Sequence, residues 1–319
     1  MVKLQDWQQA FKFVRGIARG VRRGQVFPAP GRVGVQAAPG GSRIVQAASP
    51  GGWNELGRWE ITEHTVPVRG LSEALRVLHL SDVHLRGDEP WVDKLSREIV
   101  QICAATPPDV IVLTGDVVAR GFDLAVVHRF LGALPAARYG TYAVIGNWEY
   151  WGLTPDGRSP HDPGYLGNAS DEKAKRRKEW TAVLAEHGIP LLNNRSVRVG
   201  PIRVAGTDDI LAGDPDIAAA YADLDGTPTL TLTHSPAMFD DLSHPDVFAV
   251  LAGHTHAGQV RFPILGPFFL PKGSGDYPWG WYQGQDGAWL FVHRGIGWSV
   301  APVRWRAAPE IAWIMVKPS

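Results

Sequence analysis

From residue 76 onward the chain repeats one pattern: a short apolar run, a polar turn, then a stretch whose apolar residues fall three and four apart. The runs are "RVLHLSD", "DVIVLTGD", "TYAVIGN", "IRVAGTDD", "TLTLTHS" and "VFAVLAGHTH". Short continuous apolar runs ending in turn residues predict strands buried on both faces. The stretches Trp91–Ala104, Phe122–Leu134, Glu172–His187 and Pro215–Leu224 have helical length and spacing. Strands alternating with helices predict an α/β fold. Beyond Gly258 the strand signal continues in "QVRFP", "AWLFVHRG" and "EIAWIMV" without comparable helices, so a more antiparallel portion is expected there. No internal repeat is present.

Upstream the pattern changes. Leu4, Trp7, Phe11, Val14, Ala18 and Val21 draw one apolar stripe, with Lys3, Lys12, Arg15, Arg19, Arg22 and Arg23 set against a lone Asp6. Residues 1–23 thus predict a basic amphipathic helix. Such a helix suits an anchor on an anionic membrane surface, a helix docked on the protein's own core, or an organelle transit peptide. Residues 24–57 are dense in Gly, Pro, Ala and Ser and predict a flexible linker. A single catalytic domain is expected over 58–319, with a candidate lid loop at 151–170, where "WGLTPDGRSPHDPGYLGNA" is long and rich in Gly and Pro. The basic run Lys173, Lys175, Arg176, Arg177 and Lys178 follows, either a greeting for an anionic substrate or a solvated helix face.

Composition narrows the class. The 319 residues are 45% hydrophobic with zero formal net charge, which fits a globular chain and removes the global argument for a nucleic-acid partner. The lone cysteine, Cys103, lies in the apolar "REIVQICAA" and is expected to be buried packing. No apolar run reaches 18 residues. The Arg22-Arg23 pair is followed by Gly/Pro-rich sequence rather than an apolar signal core, so an intracellular protein is expected, in the cytoplasm or peripheral on the inner face of its membrane.

The candidate chemistry lies where the predicted strands end. "LHLSDVHL" delivers Asp82 and His84, "IVLTGDVV" Asp116, "AVIGNWE" Asn147, "TLTHSP" His234, and "VLAGHTH" His254 and His256. In α/β sheets the carboxyl ends of strands form the ligand-binding rim. One histidine or one Gly-Asp there is ordinary turn or hydrogen-bond chemistry. Seven such groups buried together need compensation, and divalent cations supply it. Imidazole and carboxylate donors suit Mn, Fe, Zn or Ni, and the set is sized for two ions rather than one.

D-x-H, GD, GN, H and GHTH in this order resemble the calcineurin-like metallophosphoesterases, from about Arg76 to Lys317. The tail "GHTHAGQVRFPILGPFFLP", with "YQGQDGAWLFVHRGIG" after it, is closest to a bacterial subgroup. The resemblance implies a four-layer α/β/β/α sandwich of two mixed sheets set back to back. It implies that Asp82, His84 and His256 hold one metal and that Asn147, His234 and His254 hold the second. Asp116 bridges them, and Mn²⁺ is the expected ion, with Fe or Zn as alternatives. Asp116, Asn147 and His254 would also border the reacting phosphoryl group. A water between two such ions is acidified enough to attack phosphorus.

One position departs from that family's pattern. Its third motif reads G-N-H followed by an acid, and the histidine lies over the phosphate. Here "GNWE" puts Trp148 in that place, with Glu149 following as the histidine's would-be carboxylate partner. An indole has one N–H donor and no proton to transfer. Three readings follow. The substrate's leaving group needs little protonation, as when a nucleoside monophosphate leaves a pyrophosphate; bacterial UDP-2,3-diacylglucosamine hydrolases, a related branch acting on a lipid-linked pyrophosphate, also depart from histidine here. Alternatively Arg86, His161 or Arg294 substitutes over the phosphate. The third reading is a metal-binding membrane adaptor with little catalysis. A general phosphodiesterase or phosphatase for phospholipid or nucleotide substrates is the alternative enzyme.

Overall fold

The apolar runs lie side by side in two six-stranded sheets. The structure, a computed structural model, describes residues 37–47, 55–87, 89–152, 170–262, 266–267, 269–299 and 301–319. The first sheet takes the order β1 (Ser42–Gln46), β2 (Glu60–Val68), β14 (Glu310–Pro318), β3 (Leu75–Leu80), β4 (Val110–Thr114), β5 (Thr141–Val144). The second takes β12 (Gly280–Gln283), β13 (Trp289–Val292), β9 (Val247–Ala252), β8 (Thr229–Leu232), β7 (Ile202–Gly206), β6 (Arg195–Val199). Both are mixed. β3, β4 and β5 run parallel, as do β7, β8, β9 and β13, while β14 is parallel to β2 and antiparallel to β3. Outside these sheets, β10 (Arg261–Phe262) and β11 (Gly266–Pro267) form a small antiparallel pair.

The period-two rule of strands builds the layers. In β4, Val110 and Val112 point into the core between the sheets, where they join Val204, Leu230, Leu232 and Leu251. Ile111 and Leu113 point the other way, onto the helices α1 (Pro90–Ala105), α2 (Leu124–Gly132) and α4 (Ser170–Ala185). In α1 the buried residues Val92, Leu95, Ile99 and Cys103 fall three and four apart, one stripe facing the sheet. Proline at its first turn costs no hydrogen bond there. Each such side chain contributes about 1.5–3 kcal/mol by leaving water. Cys103 is buried and free, as expected.

Three differences from the sequence reading matter. The stretch 24–57 is not a linker throughout. Residues 42–46 form β1, an edge strand with all five residues exposed and paired antiparallel to β2, and Ala38 before it is buried. The ladder to β2 orders a segment whose composition alone predicts disorder. The helix expected over Pro215–Leu224 shrinks to α5 (Ile217–Tyr221), so the fourth layer is thin. A turn of 3-10 helix, Pro236–Asp240, helps to cover that face with Met238 and Phe239. β2 escaped notice because its buried Ile61, Val66 and Val68 are interleaved with Glu60, Glu63 and Thr65. The expected helix over 1–23 lies outside the described residues.

Candidate metal centre

The backbone continues past the strands in register and carries the polar groups to one rim. Asp82 N–H donates to Gly115 O at 3.1 Å and His84 N–H to Asp116 O at 3.0 Å, so the loops after β3 and β4 stay zipped together. On the other sheet Gly253 N–H donates to His234 O at 3.0 Å. Five of the candidate ligands have left-handed backbones: Asp82 and His84 at φ 53°, Asp116 at 52°, His254 at 72° and His256 at 51°. Non-glycine residues avoid that region, and strained conformations cluster at functional sites. The motif glycines answer a different need. A Cβ on Gly146 would strike the Asp116 carboxylate, and one on Gly253 would strike Ser81 and the Asp82 carboxylate.

Six of the seven predicted ligands assemble into two groups, Asp82–His84–His256 and Asp116–His234–His254, each with donor atoms within 4.8 Å of one another. In the first, His84 Nε2 faces His256 Nε2 at 2.8 Å, and Asp82 Oδ1 is 3.4 Å from the latter. In the second, His254 Nδ1 lies 3.1 Å from His234 Nε2. Asp116 stands between them: its Oδ2 is 3.1 Å from His234 Nε2 and 3.7 Å from His84 Nε2. Its carboxylate thus faces a histidine of each group.

The electrostatics fit cations. Burial lifts Asp116 from the usual carboxylate range to about 7 and raises Asp82 too. Burial holds His84 and His256 well below the ordinary imidazole value and His254 at about 3, so these three stay neutral and keep a lone pair to give. Burial also acts to lower His234, but Asp116, Asp82 and Asp209 raise it well above that value. Asn147 supplies a further sign. Its Oδ1 is buried with no hydrogen-bond partner among the described residues, a rare condition that a cation would relieve. Imidazole, carboxylate and amide oxygen together suit a borderline divalent ion, and two such groups, with Asp116 of one facing His84 of the other, fit a dinuclear centre.

Around this centre the structure places several residues differently from the sequence reading. Trp148 sits on the one-turn helix α3 (Asn147–Gly152). Its backbone N–H donates to Asp116 Oδ1 at 2.8 Å, and its half-buried indole meets His84 edge-on, ring centroids 6.0 Å apart. Glu149 is no spare partner for a missing histidine. Its fully buried carboxylate accepts the N–H groups of Asp116 (3.0 Å), Val117 (2.6 Å), Val118 (3.3 Å) and Gly146 (2.8 Å). Arg86 has partners of its own: it donates to the carbonyls of His84, Trp298 and Ser299 and stacks on the Trp298 ring at 3.5 Å. Arg294 pairs with Glu60 at 2.7 Å and Glu310 at 3.1 Å. Both guanidiniums are thus engaged by carbonyls or carboxylates of the fold. His161 lies outside the described residues, as does 153–169 of the candidate lid; Trp151 and Gly152 end α3.

The basic run is also partly spent. Arg176 is buried and donates to Tyr150 O, Arg177 reaches Asp208 at 3.2 Å, and Lys173 bonds Gly213 O and Asp214. These contacts tie α4 to α3 and to the loop after β7 rather than displaying a cationic face. Sequence reasoning missed Asp209, buried beside the second group, where it accepts Ser235 Oγ and two loop N–H groups. Its "GTDD" follows a strand as "TGD" does, and that signal was available. Arg304, fully buried with Nη2 2.7 Å from His256 Nδ1, carries no such signal in "VRWRAAP".

Comparison with known proteins agrees with this centre. Residues 75–258 match the family model described as calcineurin-like phosphoesterase. The chain is 31% identical over 204 residues to the Bacillus subtilis metallophosphoesterase YkoQ, covering 62% of this chain and 66% of that one. It is 28% identical to YkuE of the same organism, covering 81% of this chain and 85% of YkuE. A Bos taurus transmembrane protein with a metallophosphoesterase domain is 28% identical, covering 81% of this chain and 57% of its own length. With the family match spanning more than half the sequence and both donor groups inside or next to it, the chain belongs to the calcineurin-like phosphoesterase family.

Proposed function

We propose that this protein is a metal-dependent hydrolase of phosphodiester or pyrophosphate bonds whose leaving group departs without a proton from the enzyme. The observation that carries this is Trp148: an indole held against His84 by its own backbone bond to Asp116, at the place where an acid would serve the leaving oxygen. The neighbouring candidates do not replace it, because Arg86 and Arg294 are bound to carbonyls and carboxylates and Glu149 is consumed by backbone N–H groups. General acid catalysis is worth about 10²–10⁴-fold where the leaving group demands it. A site without it is selective for low-pKa leaving groups.

Divalent cations at the two groups would neutralise charge on the phosphoryl oxygens and supply a nucleophile at neutral pH. The protein's part is to hold Asp116 between the groups through Glu149 and Gly146, to orient His234 by its Nδ1–H bond to Thr114 O at 2.7 Å, and to exclude water with Trp148. Within the class, a lipid-linked nucleotide pyrophosphate such as UDP-2,3-diacylglucosamine is our candidate substrate; the basic amphipathic pattern of residues 1–23 supports it.

The test is turnover by Mn²⁺-loaded protein of bis-p-nitrophenyl phosphate, UDP-2,3-diacylglucosamine and glycerol phosphate. The first two are expected to react at least about 10²-fold faster than the third. Equal rates on glycerol phosphate would overturn the leaving-group argument. Failure on UDP-2,3-diacylglucosamine with activity on other diesters would favour a general phosphodiesterase. No turnover of any substrate with both sites filled would leave a metal-binding adaptor.

A further inference from the structure

The two donor groups are not equivalent in what stands behind them. A metal-binding imidazole ordinarily donates its outer N–H to a carbonyl or carboxylate, which leaves the inner nitrogen's lone pair for the ion. The group Asp116–His234–His254 obeys this. His234 gives its Nδ1–H to Thr114 O at 2.7 Å, and His254 gives its Nε2–H to Lys272 O at 2.6 Å. His254 Nδ1 then faces the site with its lone pair, and His234 Nε2, 3.1 Å from Asp116 Oδ2, gives up to a cation the proton that the acids hold there. Asn147, whose Oδ1 is unpartnered among the described residues, stands in the chain between two residues that meet Asp116.

The group Asp82–His84–His256 does not obey it. His84 Nδ1 is buried and finds no partner among the described residues. His256 Nδ1 faces Arg304 Nη2 at 2.7 Å, and a guanidinium can only donate. That contact makes Nδ1 the acceptor and leaves the proton on Nε2, the very nitrogen that faces His84 and Asp82. Arg304 is also a buried positive charge, held in place by the carbonyls of Gly297 (2.8 Å), Arg294 (2.8 Å) and Ala307 (3.0 Å). A second cation beyond His256 is repelled by it. The acids are distributed in the opposite sense, with Asp209 buried near His234 on the other group.

We infer that the two cation sites differ in affinity: Asp116, His234, His254 and Asn147 form the resident site, while Asp82, His84 and His256 form an exchangeable site weakened by Arg304. The inference concerns metal binding alone and holds whatever the substrate. Each outer hydrogen-bond partner is worth about 10- to 100-fold in metal affinity, so a separation of at least about ten-fold is expected. Occupancy of the weaker site then follows the free metal concentration.

The test is titration of the metal-free full chain with Mn²⁺, read by calorimetry and by metal content after gel filtration. Wild type is expected to bind in two steps and to retain one ion on the column. His84→Ala should keep the tight step and lose the weak one. His234→Ala should lose the tight step. Arg304→Met should tighten the second step by about ten-fold or more; if that variant does not fold, the two histidine variants still decide the matter. Two steps of equal affinity in wild type, or a tight step that survives His234→Ala and vanishes in His84→Ala, would overturn the inequality while leaving the dinuclear centre intact. No bound ion at all would overturn both.

Discussion

The Glu149 carboxylate lies against the backbone of Val117, accepting its N–H at 2.6 Å across 32 residues of sequence. The same carboxylate holds Asp116 and Gly146, so one acid fixes two motif loops at once. Glu149→Gln keeps the shape but gives up one oxygen acceptor. The expected cost is about 1.5–3 kcal/mol of stability, the worth of hydrogen bonds to a charged group. Thermal unfolding checks this effect. Metal content is expected to fall as well, because the Asp116 N–H loses the carboxylate that anchors it.

Gly146→Ala acts on the same residue from the other side. The added methyl would meet the Asp116 carboxylate and its backbone N, neither of which can yield without moving the bridging ligand. We expect the protein to fold and to lose at least about ten-fold in affinity at the Asp116–His234–His254 site, as for a misplaced supporting contact. Far-UV dichroism beside a Mn²⁺ titration separates the two outcomes. Wild-type affinity would show that Asp116 is free to shift.

Trp148→His returns a proton donor to the rim. Hydrolysis of substrates with poor leaving groups, such as glycerol phosphate, is expected to rise toward the ~10²–10⁴-fold that general acids contribute. Bis-p-nitrophenyl phosphate should change little. A uniform change on both would mean that the indole acts by packing alone.

Two buried histidines outside the two donor groups predict a pH effect on stability. His79 and His293 are fully buried between the sheets, rings 4.7 Å apart, and burial holds the first well below the ordinary value and the second at about 4. Unfolded, each takes a proton near the usual imidazole value. Between the folded and unfolded values the unfolded chain binds more protons, so stability falls as pH falls. The contribution is complete above about 6.5 and, for His293, lost by about 4. Urea midpoints measured across this window should drop in wild type. They should drop less in His293→Asn, whose amide oxygen can still accept the Gly295 N–H bond made at 2.9 Å.

Much of the centre was legible because its ligands follow directly on apolar runs: a strand fixes where its last residue goes, and Asp82, Asp116, His234 and His254 come within a few residues of their strands. Asn147 was legible for the same reason, though its orphaned oxygen is a structural observation. What sequence could not show was the supporting shell. Glu149 looked like a partner for its neighbour, yet three of its four partners lie 31 to 33 residues away on another strand's loop. Arg86 looked free because the carbonyls of Trp298 and Ser299 that occupy it come more than 200 residues later. Arg304 reaches His256 through a loop with no periodic pattern. Periodicity reports which face is buried, and it is silent about side chains that hydrogen-bond across loops.

The strand Glu310–Pro318 has a bearing on how the molecule is made. It lies inside the first sheet, with β2 on one side and β3 on the other, joined to both along most of its length. Until this segment arrives, β1 and β2 have nothing to attach to and β3 has a bare edge. Pairings this distant in sequence are slow to form. A chain that has already made the Asp82 and His84 turn therefore waits for Glu310–Pro318 before the sheet that carries those side chains is complete. Folding is then governed by the closing of that gap, and early-bound ions have no finished cradle to template.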